Sequence, residues 1–283
     1  MDGLLRNIKP HVSRILRESR ALPTDLWQRR YLLLQLTRLF VQRRYKGSFL
    51  GMLWSVLTPL CLLAVYTVAF SYILGVRWSA GRPGHMGFAL VLFCGLVGFD
   101  LFSQSVTQAS SLMASHPSFV KKAIFPTQLL PVALVLSGLT DSLIKLLVLC
   151  ATILLVQGGL PSTALLLPLA YVPLILLTLG CSFFLSVWGS FFRDIGHAVS
   201  LLAQMLFFLT PIFYPPEIVP AWLRPVLLLN PLAHVVEYFR QALLFGQSIP
   251  WGSWLVLTGL CLWVCMAGYS FFMDNRMELA DLV

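Results

Sequence analysis

The chain has 283 residues, of which 58% are hydrophobic and only 11% are charged, against about 45–50% and 25% in ordinary soluble domains. A soluble core of this size would leave large apolar patches in contact with water, so the composition excludes a soluble enzyme, a disordered chain and a fibrous protein. At about 20 apolar residues per transmembrane helix, the length allows six or seven of them. The chain is therefore predicted to be an all-α polytopic membrane protein.

The first 46 residues form a basic segment, with 11 of the 20 Lys and Arg side chains lying between Arg6 and Lys46. Residues 26–46 predict an amphipathic helix that lies in the membrane interface. Its apolar stripe consists of Leu32, Leu33, Leu36, Leu39 and Phe40. Such a helix is either a basic anchor and topology signal or the border of an entrance for an anionic lipid-linked ligand.

Residues 47–273 read as six transmembrane segments followed by a short tail at 274–283. The predicted spans are 51–74, 88–113, 127–156, 164–191, 198–213 and 252–273. The turn-rich residues 157–163 make the third and fourth spans a tight hairpin. Six spans put both termini on one side, which then carries 15 of the Lys and Arg side chains against four on the other. The positive-inside rule predicts that both termini are cytoplasmic.

Residues 114–125 connect the second and third spans and mix apolar side chains with His116, Lys121 and Lys122. A short amphipathic helix here would suit docking into a groove of a partner protein. A plain surface loop is the alternative interpretation.

The outer segment, residues 214–251, is too apolar for a free loop and too often broken by proline for a span. Asn230 and Pro231 are typical of the N-cap and first position of a helix, and Gly246 of its end. His234 and Glu237 stand three residues apart, with Arg240 near Glu237; a hydrogen-bonded pair is favoured over a metal site. The segment predicts re-entrant or surface-lying half-helices.

Three charged residues fall inside predicted spans: Asp100, Asp141 and Lys145. Charges in the membrane are costly and mark functional sites, and the spacing of the last two allows an ion pair on one helix. A polar clamp between the second and third spans is the favoured interpretation, and a proton relay the alternative.

No catalytic constellation is found in the sequence. It has no GxxxxGK[ST], GxSxG or HExxH motif, and the six cysteines lie inside apolar stretches without zinc-site spacing. We therefore predict no catalytic residue, no metal site and no cofactor bound by this chain. The basic charge is interpreted as orienting and lipid-facing, not as nucleic-acid binding.

Three stretches resemble a known family. RRYKGSFLGMLWSVLTPL (43–60), FFRDIGHAVSLLAQMLFFLTPIFYP (191–215) and NPLAHVVEYFRQALL (230–244) occur in the order found in type-2 ABC transport permeases for polysaccharides. These permeases export O-antigen, capsule and teichoic acid, and the chain looks most like the O-antigen branch. The similarity covers most of the chain, from about Leu26 to the C-terminus.

The resemblance implies a six-span permease of the bacterial inner membrane that forms a homodimer. It would pair with two copies of a separate ATPase subunit, which would bind ATP and Mg. The substrate would be a glycan on an undecaprenyl-pyrophosphate carrier. Competing interpretations are an ABC permease of the same architecture for drugs or lipids, and a membrane-embedded glycan or phosphate transferase.

The resemblance also implies roles for residues. Residues 115–125 would form a coupling helix that seats in the ATPase, and residues 192–197 would form a second contact. The contacting residues would be Ser115, His116, Phe119, Lys121, Lys122, Phe125, Arg193 and Asp194. Arg43, Arg44 and Lys46 are suitably placed to bind the pyrophosphate at the inner interface. Aromatic side chains of the first and fifth spans would line the glycan channel: Tyr66, Phe70, Tyr72, Phe207, Phe208, Phe213 and Tyr214. Residues 214–245 would form the outer gate with Asn230, Pro231, His234, Glu237 and Arg240.

Overall fold

The computed structural model describes residues 22–46, 48–73, 86–120, 125–192 and 194–282. Within these ranges all regular secondary structure is helical, without a strand, as the sequence predicted. The α-helices are α1 Arg30–Tyr45, α2 Trp54–Tyr66, α3 Met86–Ala109, α4 Pro117–Val120, α5 Leu129–Gln157, α6 Leu167–Phe191, α7 Ile195–Leu209, α8 Arg224–Leu229, α9 Pro231–Arg240 and α10 Trp251–Leu282. A 3₁₀ turn, Gly51–Leu53, precedes α2, and a π-helical stretch, Thr67–Ile73, follows it.

Four helices of the described part are long and apolar enough to cross a membrane, namely α3, α5, α6 and α10. The segments predicted as the first and fifth spans contain shorter apolar helices, Trp54–Ala69 and Ile195–Leu209. The fifth was predicted to reach residue 213, but Thr210 is already extended, with φ −85° and ψ 132°. The reason is Pro211, because a residue that precedes proline is disfavoured in the helical region.

The last helix, α10, is longer than the sixth span that the sequence predicted. The sixth span was predicted to end at residue 273, with a separate tail beyond it, yet α10 runs through to Leu282. Leu279 is buried in the same apolar cluster as Phe272. Apolar packing therefore continues along this helix beyond residue 273.

A close helix crossing joins α6 to α10 through glycine. A Cβ atom on Gly180 would lie 2.7 Å from the backbone carbonyl carbon of Val264, and one on Gly268 would collide with the carbonyl oxygen of Gly180. Small residues are enriched at such crossings in membranes because they let two backbones approach. Helix α3 is the centre of the bundle, with Phe88 to Val97 almost wholly buried.

The two ends of the bundle differ in character. At one end, here called the basic end, α1 packs with the start of α5 and the last turns of α6 and α10. At the opposite end, the predicted turn after α5 is confirmed by Gly158, which closes the helix with φ +74°. There Thr163 Oγ1 donates a hydrogen bond to Ala242 O at 2.8 Å, and Trp254 Nε1 donates one to Leu169 O at 2.8 Å.

Candidate functional site

Helix α1 is present as predicted, but it is packed onto the bundle. Leu33, Leu36 and Phe40 are buried, whereas Leu32 and Leu39 of the predicted stripe are half-buried. Gln128 Nε2 donates to Asp25 Oδ2 at 2.8 Å just before α1, and Arg44 Nη1 lies 3.4 Å from Asp141 Oδ2 at its other end. The helix is thus fixed along the first half of α5 at two polar points.

A cavity of about 290 Å³ opens at the basic end, between α1 and the residues that lead into α4. It is lined by Phe40, Arg43, Arg44, Gln108, Ser111, Leu112, Ser115, His116 and Leu134. The cavity brings together two sets of residues that the sequence assigned to different roles, the pyrophosphate entrance and the ATPase contact. Lys46, the third predicted entrance residue, is exposed and does not line it.

The contact that joins the two sets runs from Arg43 to His116. Arg43 Nη1 lies 2.6 Å from His116 Nε2, and His116 Nδ1 lies 3.0 Å from Leu112 O. A guanidinium only donates hydrogen bonds, so Nε2 accepts and Nδ1 carries the proton, which makes the imidazole neutral. Burial lowers the pKa of His116 from its ordinary 6.5; the hydrogen bond to Leu112 opposes this, and the Arg43 charge adds to it.

His116 is also where α4 begins. Its carbonyl oxygen accepts hydrogen bonds from the backbone N–H groups of Phe119 and Val120 at 3.1 and 3.3 Å. Its ring packs edge-on against Phe40 of α1, with ring centroids 5.2 Å apart, and Phe119 contacts Phe125 at 4.9 Å. One residue therefore ties α1 to the first turn of the predicted coupling helix.

The remaining predicted ATPase contacts are only partly visible. Lys121, Lys122 and Arg193 lie outside the described residues. Asp194 is exposed at the start of α7. Ser115 donates its hydroxyl to Ser111 O at 2.6 Å, which holds its side chain against its own turn.

The three charges predicted inside the membrane are brought together, and a fourth joins them. Lys145 Nζ lies 2.8 Å from Asp100 Oδ2 and 3.1 Å from Asp141 Oδ2. Arg44 approaches Asp141 from α1. Among the described residues, this charged ladder contains two cations and two carboxylates, and each of its charges faces an opposite one. It links α1, α5 and α3.

The two adjacent arginines of α1 therefore have different electrostatic surroundings. Arg44 belongs to the charged ladder. Among the described residues, no carboxylate lies within 4.0 Å of the Arg43 guanidinium, and its side chain instead contacts the neutral ring of His116. Within the described part of the chain, Arg43 is therefore the member of this pair that has no acidic partner.

The predicted channel aromatics form one visible cluster on α7. The ring of Phe207 lies 5.2 Å from Phe99, 5.5 Å from Phe208 and 5.0 Å from Phe213. Phe208 is 68% exposed and presents the free face of this cluster. Tyr214 donates its hydroxyl to Phe208 O at 3.0 Å.

The predicted aromatics of the first span are placed less fully. Tyr66, at the end of α2, is half-buried and packs against the core of the bundle. The side chains of Phe70 and Tyr72 lie outside the described part of the chain.

The outer segment contains the predicted helix. Asn230 caps α9 by accepting from Leu232 N at 3.0 Å, with Pro231 at the first position. A π-helical turn, Gln241–Phe245, extends α9 and ends at Gly246 with φ +64°. His234 Nε2 lies 2.9 Å from Leu228 O, and the described residues contain no group of three metal-ligating side chains.

Arg240 is the residue whose role the sequence missed. We expected it near Glu237, and the two side chains do approach to 4.0 Å. Its main partners are backbone carbonyls: Nη1 donates to Pro211 O at 2.7 Å, Nη2 to Ile212 O at 2.8 Å and Nε to Val91 O at 3.3 Å. The side chain is fully buried and joins α9, α3 and the end of α7.

Comparison with known proteins identifies the family. The family model for ABC-2 type transporters matches residues 31–244, about three quarters of the chain. The chain belongs to the ABC-2 type transporter family. This ABC-2 transporter is accordingly a multi-pass membrane protein, and its relatives are transport permeases rather than enzymes.

Curated relatives of this ABC-2 transporter share most of its length. The O-antigen export system permease protein RfbA of Myxococcus xanthus is 29% identical over 263 residues, which cover 92% of this chain and 98% of that protein. The protein of the same name from Klebsiella pneumoniae is 28% identical, over 89% of this chain and 95% of its own. The polysialic acid transport protein KpsM of Escherichia coli is 27% identical, over 73% and 78%.

Proposed function

We propose that this ABC-2 transporter is the permease subunit that exports an undecaprenyl-pyrophosphate-linked polysaccharide, similar to O-antigen, across the bacterial inner membrane. The observation that carries the proposal is the match to an O-antigen export permease over 92% of this chain and 98% of that relative. ATP hydrolysis takes place in a separate ATPase subunit, because the sequence has no phosphate-binding loop of the GxxxxGK[ST] type.

In this proposal the basic end faces the cytoplasm. The positive-inside rule supports that orientation, since six of the ten described Lys and Arg residues lie at 29–46, in and beside α1, and the last turns of α10 lie at the same end. Six spans then consist of the four long helices and the two shorter apolar ones. Residues 115–125 dock into the ATPase, and 192–197 provide its second contact, with two ATPase copies on a permease homodimer.

The cavity beside α1 is proposed as the place where the lipid-linked pyrophosphate first binds. A phosphate group accepts paired hydrogen bonds from a guanidinium, which makes arginine suited to this task. Arg43 has that guanidinium at the cavity, with no described carboxylate beside it. Exposed Lys46 adds charge near the mouth, whereas Arg44 serves the charged ladder that holds α1.

The glycan is proposed to pass along the aromatic side of α7 and the end of α2. Sugar rings pack on aromatic faces without requiring one particular sugar. The exposed ring of Phe208, backed by Phe207 and Phe213, supports this placement. The segment with α9 closes the outer end, where the bonds of Arg240 hold it to α3 and to the end of α7.

Deletion of the gene tests the proposal. The deletion strain is expected to retain undecaprenyl-linked glycan on the cytoplasmic side, measured as polymer that an added antibody reaches only after the inner membrane is permeabilised. The wild-type gene is expected to restore surface glycan, and an ATPase subunit is expected to co-purify with the chain. Normal surface glycan in the deletion strain would refute the proposal, and loss of drug or lipid export instead would support the other kind of ABC permease.

A further inference from the structure

The Arg43–His116 contact connects the two functions that the basic end is proposed to combine. Arg43 lines the cavity, and His116 starts the helix assigned to the ATPase contact. The two side chains meet at 2.6 Å and belong to different elements. A change at one of them therefore reaches the other without passing through the membrane core.

The acceptor in this contact is a weak one for a guanidinium. His116 is neutral, because its Nδ1 proton is directed to Leu112 O at 3.0 Å and its Nε2 accepts from Arg43. An anionic oxygen adds the attraction of opposite charges to its hydrogen bond with arginine, and a phosphate can accept from the guanidinium with two oxygens at once. A pyrophosphate in the cavity consequently displaces the imidazole from Arg43.

We infer that His116 and a pyrophosphate headgroup compete for Arg43, so that arrival of the lipid-linked substrate breaks the hydrogen bond that ties the start of α4 to Arg43 of α1. The inference rests on the proposed function, since it takes its ligand from there. Without Arg43, His116 keeps its bond to Leu112 and its ring contacts with Phe40 and Phe119. Release thus frees one anchor of α4 and leaves its local fold in place.

Competition has a consequence that a plain binding site lacks. If His116 occupies Arg43 in the empty state, removing its acceptor nitrogen strengthens headgroup binding. This exposed hydrogen bond contributes about 1.5 kcal/mol net, the lower end for a charged donor, which corresponds to about a ten-fold decrease in Kd for His116→Phe. Arg43→Gln weakens binding, because it removes the charge.

The experiment uses the full chain in nanodiscs of phosphatidylethanolamine and phosphatidylglycerol, titrated with undecaprenyl pyrophosphate. Undecaprenol, which has the same chain without the charge, is the ligand control. Arg38→Gln is the matched variant for Arg43→Gln, because Arg38 is exposed on the same helix and does not line the cavity. We expect tighter binding for His116→Phe, weaker binding for Arg43→Gln, unchanged Kd for Arg38→Gln, and no response to undecaprenol.

The ¹⁵N signal of the His116 ring gives a second readout. On saturation with undecaprenyl pyrophosphate, Nε2 is expected to shift as it loses the Arg43 donor, while Nδ1 stays protonated. Binding that depends on Arg43 but leaves both Kd in His116→Phe and the Nε2 signal unchanged would overturn the competition and leave the headgroup site standing. Absence of any binding that depends on Arg43 would overturn both the competition and the proposed entrance.

Discussion

Arg240 allows a quantitative test of what holds the opposite end of the bundle together. Two of its three hydrogen bonds to backbone carbonyls are short, at 2.7 and 2.8 Å, and the third is 3.3 Å long. Hydrogen bonds from a charged group contribute about 1.5–3 kcal/mol each. Arg240→Lys keeps the charge but loses the planar fork, so one short bond and the long one are lost. With about 1.5–3 kcal/mol for the short bond and about 0.5–1 kcal/mol for the weaker long one, the cost is about 2–4 kcal/mol.

Arg240→Leu removes all three donors, so the carbonyls of Pro211 and Ile212 lose the hydrogen bonds that Arg240 donates to them. Each buried acceptor that loses its donor costs about 1–3 kcal/mol, which gives about 2–6 kcal/mol for the two. At about 2–4 °C per kcal/mol for a chain of this size, the lysine variant is expected to lower the thermal midpoint by at least about 4 °C. The midpoint is measured by size-exclusion chromatography of detergent-solubilised protein after heating.

Arg224→Lys is the matched control, because Arg224 is an exposed arginine of the same outer segment and donates one hydrogen bond, from Nε to Val219 O at 3.1 Å. Surface substitutions are usually within about 0.5 kcal/mol of neutral, so its midpoint should stay near that of the wild type. An Arg240→Leu variant that melts at or above the wild-type temperature would refute the reasoning. The cost of burying the charge would then exceed the gain from its hydrogen bonds.

Three further predictions concern the helix crossing and the basic end. Gly268→Ala should destabilise the protein by about 1–3 kcal/mol through overpacking and so lower the thermal midpoint. Gly259→Ala on the same helix, with open space around it, should not lower it, and equal effects of the two variants would contradict the crossing. Asp141→Asn should reduce the yield of folded protein by unbalancing the charged ladder, and normal yield with altered pH dependence of transport would favour a proton relay. Because the pKa of His116 is lowered on folding, its contribution to stability is present above pH 6.5 and is lost as the pH falls through the lower pKa of the folded state. His116→Phe should abolish this loss, which is measured as the thermal midpoint of unfolding against pH.

Features of the fold that depend on neighbouring residues could be predicted from the sequence. The cap of α9 by Asn230 followed by proline, its end at Gly246, and the turn at Gly158 all follow from local backbone preferences. The spacing of Asp141 and Lys145 likewise permits an ion pair on one helix. Each of these signals lies within a few residues of the structure that it determines.

Features that depend on distant parts of the chain could not be predicted. Arg44 joins Asp141, and Arg43 meets His116, only because α1 folds back along α5, and no local pattern in the sequence indicates that pairing. Arg240 looks like a helix-surface residue with a carboxylate nearby. Two of its hydrogen-bond partners are the backbone carbonyls of Pro211 and Ile212, just beyond the end of α7. Backbone acceptors of this kind cannot be identified from residue types in the sequence.

The shortness of α7 has a consequence for the lipid around it. Fifteen residues rise about 22 Å at 1.5 Å each, whereas a bilayer core is about 30 Å thick. In a six-span arrangement, lipid that touches this helix has to thin, or residues beyond Thr210 have to enter the hydrocarbon region.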